Sequence, residues 1–245
     1  MKTERILVMS DLHGCYDKYQ MMLEKIKFND KKDKLIILGD VLDRGKNPIC
    51  IIKDIMQREN VELLMGNHEL FALSVMPYVN SPIDEINEEF YDEELRKKYF
   101  TWMWNGGDTT FDEFYKLSIK EQKEIIAYLQ ELPSSIEVTV NGNKYFLSHA
   151  GINNYTSDEE LGWKTVEDFV WYSPDNFDMP FFKEDDENRF LVFGHTPTFR
   201  IPGGTAGKIF KKNDYVGIDC GAVFEKYFDG KLGCLCLNTM EEFYV

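Results

Sequence analysis

Apolar and polar positions along the chain follow two periods. "RILVM" (5–9) and "DKLIIL" (33–38) are continuous apolar runs of strand length, and between them Tyr19, Met22, Leu23 and Ile26 recur at i, i+3, i+4 and i+7. That recurrence is the stripe of an amphipathic helix. "NPICIIKDIMQREN" (47–60) repeats it through Ile52, Ile55 and Met56, with Pro48 near the first turn, where its fixed φ is pre-set for a helix. "VELLMGN" then returns to strand. Three strands alternating with two helices predict a largely parallel sheet covered on its faces, an α/β fold.

The middle of the chain changes character. An acidic run (84–94) precedes the aromatic "YFTWMWNGGDTTF", and Ser118 with Glu121 forms a capping box ahead of Ile125, Tyr128, Leu129 and Leu132. Residues 77–132 are therefore expected to be a mostly helical insertion within one domain spanning 1–245. Phe100, Trp102 and Trp104 are read as a packing plug for that insertion, because large aromatics that cluster are mostly buried. Beyond it, "SIEVTV-NGN-KYFLSHAG" reads as a hairpin with an Asn-Gly turn. "RFLVFGHT", "YVGIDCGAVF" and "KLGCLCLN" supply the last strands.

The polar residues fall at the strand ends, where open α/β sheets build ligand sites. "MSDLHG" brings Asp11 and His13, "LGDVLDRG" brings Asp40, Asp43 and Arg44, and "MGNHE" brings Asn67, His68 and Glu69. "FLSHAG" and "VFGHTP" add His149 and His195. These are all four histidines of the chain, each just past an apolar run. Placed for packing, they would fall on helix faces or in mid-strand as often as at strand ends. With Asp11, Asp40 and Asn67 they make an oxygen and imidazole set without thiolate, which suits Mn, Fe or Zn. Seven ligands exceed the need of one ion with open positions; two ions sharing Asp40 account for them, spaced ~3.5–4 Å as in two-metal phosphoryl sites.

In this order the motifs Asp11-x-His13, Gly39-Asp40-x-x-Asp43-Arg44-Gly45, Gly66-Asn67-His68-Glu69, His149-Ala150-Gly151 and Gly194-His195-Thr196-Pro197 resemble those of a known family. It is the phosphoprotein phosphatase family of calcineurin-like metallophosphoesterases, in particular its bacterial and phage-type serine/threonine protein phosphatase branch. The resemblance implies an α/β/β/α sandwich of two mixed β-sheets flanked by helices. It implies that Asp11, His13 and Asp40 bind one metal, that Asp40, Asn67, His149 and His195 bind the other, and that a hydroxide bridging the two attacks phosphorus directly. His68 would then protonate the leaving group, oriented by Asp43, while Arg44 grips the phosphoryl oxygens. One position departs from the family pattern. Ser173 stands where relatives of this branch carry a second phosphate-binding arginine, and Arg189 and Arg200, the nearest alternatives, are read as solvated surface residues. Cys220, where relatives often have Thr, is read as a packing swap.

Composition narrows the reading. A formal charge of -15 argues against a duplex nucleic-acid partner, since such binding is driven by clustered Lys and Arg. Five cysteines without paired spacing suggest reduced thiols in a cytoplasmic setting, and no apolar stretch approaches a membrane span or a leader. The expected activity is hydrolysis of phosphoserine and phosphothreonine in proteins with two divalent ions, most simply Mn2+. The alternative is a symmetrical dinucleoside tetraphosphatase of the same family.

Overall fold

The computed structural model describes residues 5–78, 92–151, 165–172, 177–178, 180–182 and 188–245. The opening segment folds as its pattern predicts. Strands β1 (Arg5–Met9), β2 (Asp33–Ile37) and β3 (Val61–Leu63) pair in parallel, linked by helices α1 (Tyr16–Lys25) and α2 (Pro48–Met56). Two antiparallel strands from the far end of the chain, β9 (Gly233–Cys236) and β10 (Glu241–Tyr244), complete a sheet ordered β10-β9-β1-β2-β3. The second sheet contains β4 (Ser135–Val140), β5 (Asn143–Ser148), β6 (Arg189–Phe193), β7 (Phe210–Lys212) and β8 (Tyr215–Gly217), in the order β4-β5-β6-β8-β7. Both sheets are mixed, and β4 and β5 are joined by Asn141 and Gly142 at φ 53° and 86°, the left-handed pair that a two-residue hairpin needs.

Strand alternation decides which residues bind the layers together. Val8, Ile36 and Leu235 point between the sheets, where they meet Tyr145, Leu147, Val192 and Val216. Their neighbours Leu7, Met9, Leu35, Ile37, Cys234 and Cys236 face the helices instead. On the outer side of the second sheet Phe146, Leu191 and Phe193 pack with Phe169, Phe177, Phe181 and Phe182. Two sheets face to face with helices outside give the expected α/β/β/α sandwich. Each fully buried Leu or Ile in it contributes about 1.5–3 kcal/mol of apolar burial.

After β3 come α3 (Asn67–Val75), α4 (Glu93–Trp102), a wide π-type turn at Met103–Gly107, α5 (Asp108–Phe114) and α6 (Ile119–Gln130). Ser118 caps α6, its Oγ accepting the Glu121 N–H while Glu121 takes the Ser118 N–H. All five cysteines are unpaired, and Cys220 is buried beside Gly233, which fits a packing role. Among the described residues no helix is long and apolar enough to cross a membrane.

Candidate active site

The loops after β1, β2, β5 and β6 and the first turn of α3 converge at one end of the sandwich, and every sequence-predicted site residue stands there. Asp40 lies at the centre. Its Oδ2 is 3.6 Å from His13 Nε2 and its Oδ1 is 3.4 Å from His149 Nε2, so the two carboxylate oxygens face different imidazoles. Asn67 Oδ1 stands 2.9 Å from both His149 Nε2 and His195 Nδ1. Asp11 Oδ1 is 3.9 Å from His13 Nε2, while its Oδ2 accepts the Ser10 hydroxyl at 2.6 Å and the His195 N–H at 3.0 Å.

Two groups of ligand atoms close enough to hold a metal share Asp40: His13 with Asp40 and His68, and Asp40 with His149 and His195. The donor chemistry fits cations. His13 and His149 give their Nδ1–H to the Leu42 and Leu38 carbonyls, at 3.0 and 2.7 Å, which makes Nε2 the nitrogen of each ring that can offer a lone pair to a cation. His149 Nε2 faces the oxygens of Asn67 and Asp40, at 2.9 and 3.4 Å, three donor atoms that a divalent cation between them would draw together. On His13 a cation is already drawn in, because Arg44 Nη1 donates to its Nε2 at 2.7 Å.

Burial sets the charge states. It pushes the Asp40 carboxyl well above the usual carboxylate range, with Asp11 and Glu69 adding to the push and the His68 ring and amide opposing it. Burial lowers the His13 imidazole, reinforced by Arg44 and His68, and lowers His195 to about 3, reinforced by His149. Both rings are held neutral, the form in which an imidazole can ligate a cation, and a metal bound here would supply positive charge beside the buried carboxylate.

Beside this centre, His68 Nδ1–H donates to Asp43 Oδ2 at 2.6 Å, and Arg44 Nη2 donates to His68 Nε2 at 2.7 Å. The arginine fork thus spans His13 and His68 from an exposed position, with its guanidinium 5.9 Å from the Phe224 ring. Ser173 lies outside the described residues. Arg189 departs from expectation: it is 6% exposed, paired with Glu137 at 2.9 Å and laid over the Phe182 ring, because it caps the aromatic cluster at the end of β6 opposite His195. Arg200 is exposed, as expected.

Three features escape a reading of local sequence. Glu69 is fully buried and accepts the N–H groups of Asp40, Val41, Leu42 and Gly66 at 2.7–3.2 Å, which fixes the loop that carries Asp40. Its position three residues after Gly66 in "GNHE" was the available signal. Asp43 also accepts from Trp102 Nε1 at 2.9 Å and from Thr110 Oγ1 at 2.6 Å. Among the described residues, Asp11, His13, Asp40, Asp43, Arg44 and His195 all have φ between 40° and 69°. Left-handed backbone is uncommon outside glycine and collects at functional sites. Gly66 packs so closely under this centre that a Cβ there would run into Asp40 Oδ1.

The aromatic plug is correct for one ring only. Trp102 is fully buried, but Phe100 is 62% and Trp104 91% exposed. Residues two apart at a helix end and in the turn after it point in divergent directions, so one ring cannot bring the others inward with it.

The chain is similar to known proteins in sequence and in fold. A bis(5'-nucleosyl)-tetraphosphatase, symmetrical, from Buchnera aphidicola subsp. Schizaphis graminum (strain Sg) is 33% identical over 149 residues, 60% of this chain and 45% of the relative. Serine/threonine-protein phosphatase 2 of Escherichia coli (strain K12) is 31% identical over 66% of this chain and 63% of its own length. The chain therefore spans less than two thirds of either relative. A protein serine/threonine phosphatase from Saccharomyces cerevisiae shares the fold at TM-score 0.59 and 16% identity, over 95% of this chain and 72% of that one. The family model for calcineurin-like phosphoesterases matches residues 4–222, a span that contains both sheets' parallel strands and every residue of the Asp40 centre, and the chain belongs to that family.

Proposed function

We propose that this chain, acting as one metallophosphoesterase domain, hydrolyses phosphate esters or anhydrides with two divalent ions, Mn2+ being the first choice for an oxygen and imidazole set. Asp11, His13 and Asp40 would hold one ion, and Asp40, Asn67, His149 and His195 the other. The observation that carries the reading is the placement of Asp40, whose two oxygens face His13 and His149 separately. When bound, the ions supply a water of lowered pKa and positive charge against the phosphoryl oxygens.

The remaining work falls to the chain's own groups. His68, held at Nδ1 by Asp43, is aimed through Nε2 at the leaving oxygen; with Arg44 turned away from it, Nε2 takes up a proton from solvent and delivers it there. Arg44 moves its fork from the imidazoles to two phosphoryl oxygens, for which its planar geometry is suited. Arg44→Ala is expected to raise KM and lower kcat together, because the grip acts on both ground and transition states. Steady-state kinetics on p-nitrophenyl phosphate checks this; a change in neither constant contradicts the role.

For substrate, the relatives favour the dinucleoside reading over the phosphoprotein reading. Trp104 adds support: it is an exposed aromatic carried on the turn whose Asn105 and Gly106 carbonyls accept from Arg44 Nε and N, next in sequence to the backbone that holds the phosphate-gripping residue. Stacking a base on such a ring is worth ~1–3 kcal/mol. Trp104→Ala is expected to raise KM for diadenosine tetraphosphate by roughly 5- to 150-fold on that scale, while KM for p-nitrophenyl phosphate stays unchanged. Equal effects on both substrates contradict the stacking role. The second reading, phosphoserine and phosphothreonine in proteins, is supported by the Escherichia coli relative. Comparing kcat/KM for diadenosine tetraphosphate and a phosphopeptide set decides between the two. The acidic run at 84–94 lies mostly outside the described residues. Five unpaired cysteines fit a reducing, cytoplasmic setting.

A further inference from the structure

We propose that Trp102 and Thr110 are positioning residues for proton transfer, locking the Asp43 carboxylate in the orientation that holds His68. The inference rests on the reading of His68 as the proton donor. Asp43 is fully buried, so each oxygen must find its donors within the protein. Oδ2 accepts from His68 Nδ1 at 2.6 Å and from the Trp102 indole at 2.9 Å, while Oδ1 accepts from the Thr110 hydroxyl at 2.6 Å. The same hydroxyl accepts the Asp43 backbone N–H at 2.8 Å. Thr110 therefore closes a ring between the main chain and side chain of one residue, which fixes the carboxylate's rotation. Trp102 holds the same oxygen that His68 bonds.

The supporting segment is shaped for this task. Asp43 and Arg44 have φ values of 69° and 64°, and the strained backbone is held because the Arg44 N–H donates to the Gly106 carbonyl at 2.9 Å. Gly106 itself has φ 95°, and a Cβ there would lie 2.8 Å from Arg44 Cγ. A Cβ on Gly107 would lie 2.5 Å from the Trp102 ring. A tryptophan that served only as filler would need an acceptor for its N–H but would place no demand on which one. Here the acceptor is the carboxylate bonded to His68, and an independent residue grips the other oxygen.

The test uses Mn-loaded protein with phenyl phosphate, a poor leaving group, and p-nitrophenyl phosphate, a good one. Trp102→Phe keeps the ring and removes the donor, while Thr110→Val keeps the shape and removes the hydroxyl. Each is expected to lower kcat on phenyl phosphate by ~10- to 100-fold, the usual cost of losing an orienting partner, with KM and metal content unchanged and a smaller loss on p-nitrophenyl phosphate. Thr110→Ser should restore the rate. In a His68→Asn background, Trp102→Phe should cost nothing further. In the metal-free protein the Trp102 indole proton should be shifted downfield and slow to exchange relative to the other three tryptophans, and Asp43→Asn should move it. Equal losses with and without His68, or Thr110→Ser as poor as Thr110→Val, overturn the proposal. If Trp102→Phe does not fold, the Thr110 pair decides alone by the same criteria. Should His68→Asn itself leave phenyl phosphate turnover intact, the reading of His68 falls and takes this proposal with it, an outcome distinct from failure of the clamp.

Discussion

Replacing Asp40 by Asn is expected to remove metal and activity together. The carboxylate is the residue shared by both candidate ligand groups, and an amide brings neither its negative charge nor a second lone-pair oxygen. Turnover should fall to background, a loss of at least ~10³-fold for a reaction that depends on metal-supplied nucleophile and charge. Stability should move the other way. Without ions, burial pushes the Asp40 carboxyl well above its usual range, the sign of a charge that is costly to bury. A neutral amide avoids that cost, and its oxygen can still accept the His68 N–H that Asp40 Oδ1 accepts at 3.0 Å. The metal-free variant should therefore melt no lower than metal-free wild type, and only the wild type should gain stability on adding Mn2+. Metal analysis by mass spectrometry with parallel melting curves checks both. Two full equivalents retained in the variant would refute the shared role of Asp40.

His68→Asn is expected to part chemistry from metal binding. A positioned general acid is worth ~10²–10⁴ in rate, so kcat should fall by that order while both ions remain. The geometry makes the measurement necessary, because His68 Nε2 is 3.9 Å from Asp40 Oδ2 and its other nitrogen bonds a carboxylate, as the nitrogens of metal-bound histidines often do. Asp11, with Oδ1 as near to His13 as that, fills the first group in its place. The loss should shrink with p-nitrophenolate as leaving group, which leaves without a proton. Loss of one equivalent of metal would make His68 a ligand, and equal losses on good and poor leaving groups would remove its role as acid.

Much of this architecture is legible in short stretches of chain. The stripe Tyr19, Met22, Leu23 and Ile26 is buried along α1, and the alternation of Leu7, Val8 and Met9 sends neighbours to opposite faces of one sheet. Four histidines just past apolar runs meet at one end of the sandwich because parallel strands end on the same edge. What local pattern leaves hidden is long-range. Trp102 and Thr110 bond an aspartate 59 and 67 residues away, and nothing in their own neighbourhoods marks them. "YFTWMW" reads as apolar cluster, whereas the fold buries Trp102 and exposes Trp104, because a helix end and a wide turn diverge within two residues. Arg189 reads as a surface charge until an aromatic cluster and Glu137 cover it. The left-handed backbone at Asp40, Asp43 and Arg44 is equally silent in sequence, since only glycine announces such a conformation.

Asp40 is expected to stand between two metal ions. The most direct measurement is an anomalous difference map from crystals of the Mn-loaded protein. Two peaks are expected, one beside His13 and one beside His149, separated by ~3.5–4 Å with an Asp40 oxygen toward each. A single peak at full metal loading, or two peaks with Asp40 bound to neither or to only one, would contradict that expectation.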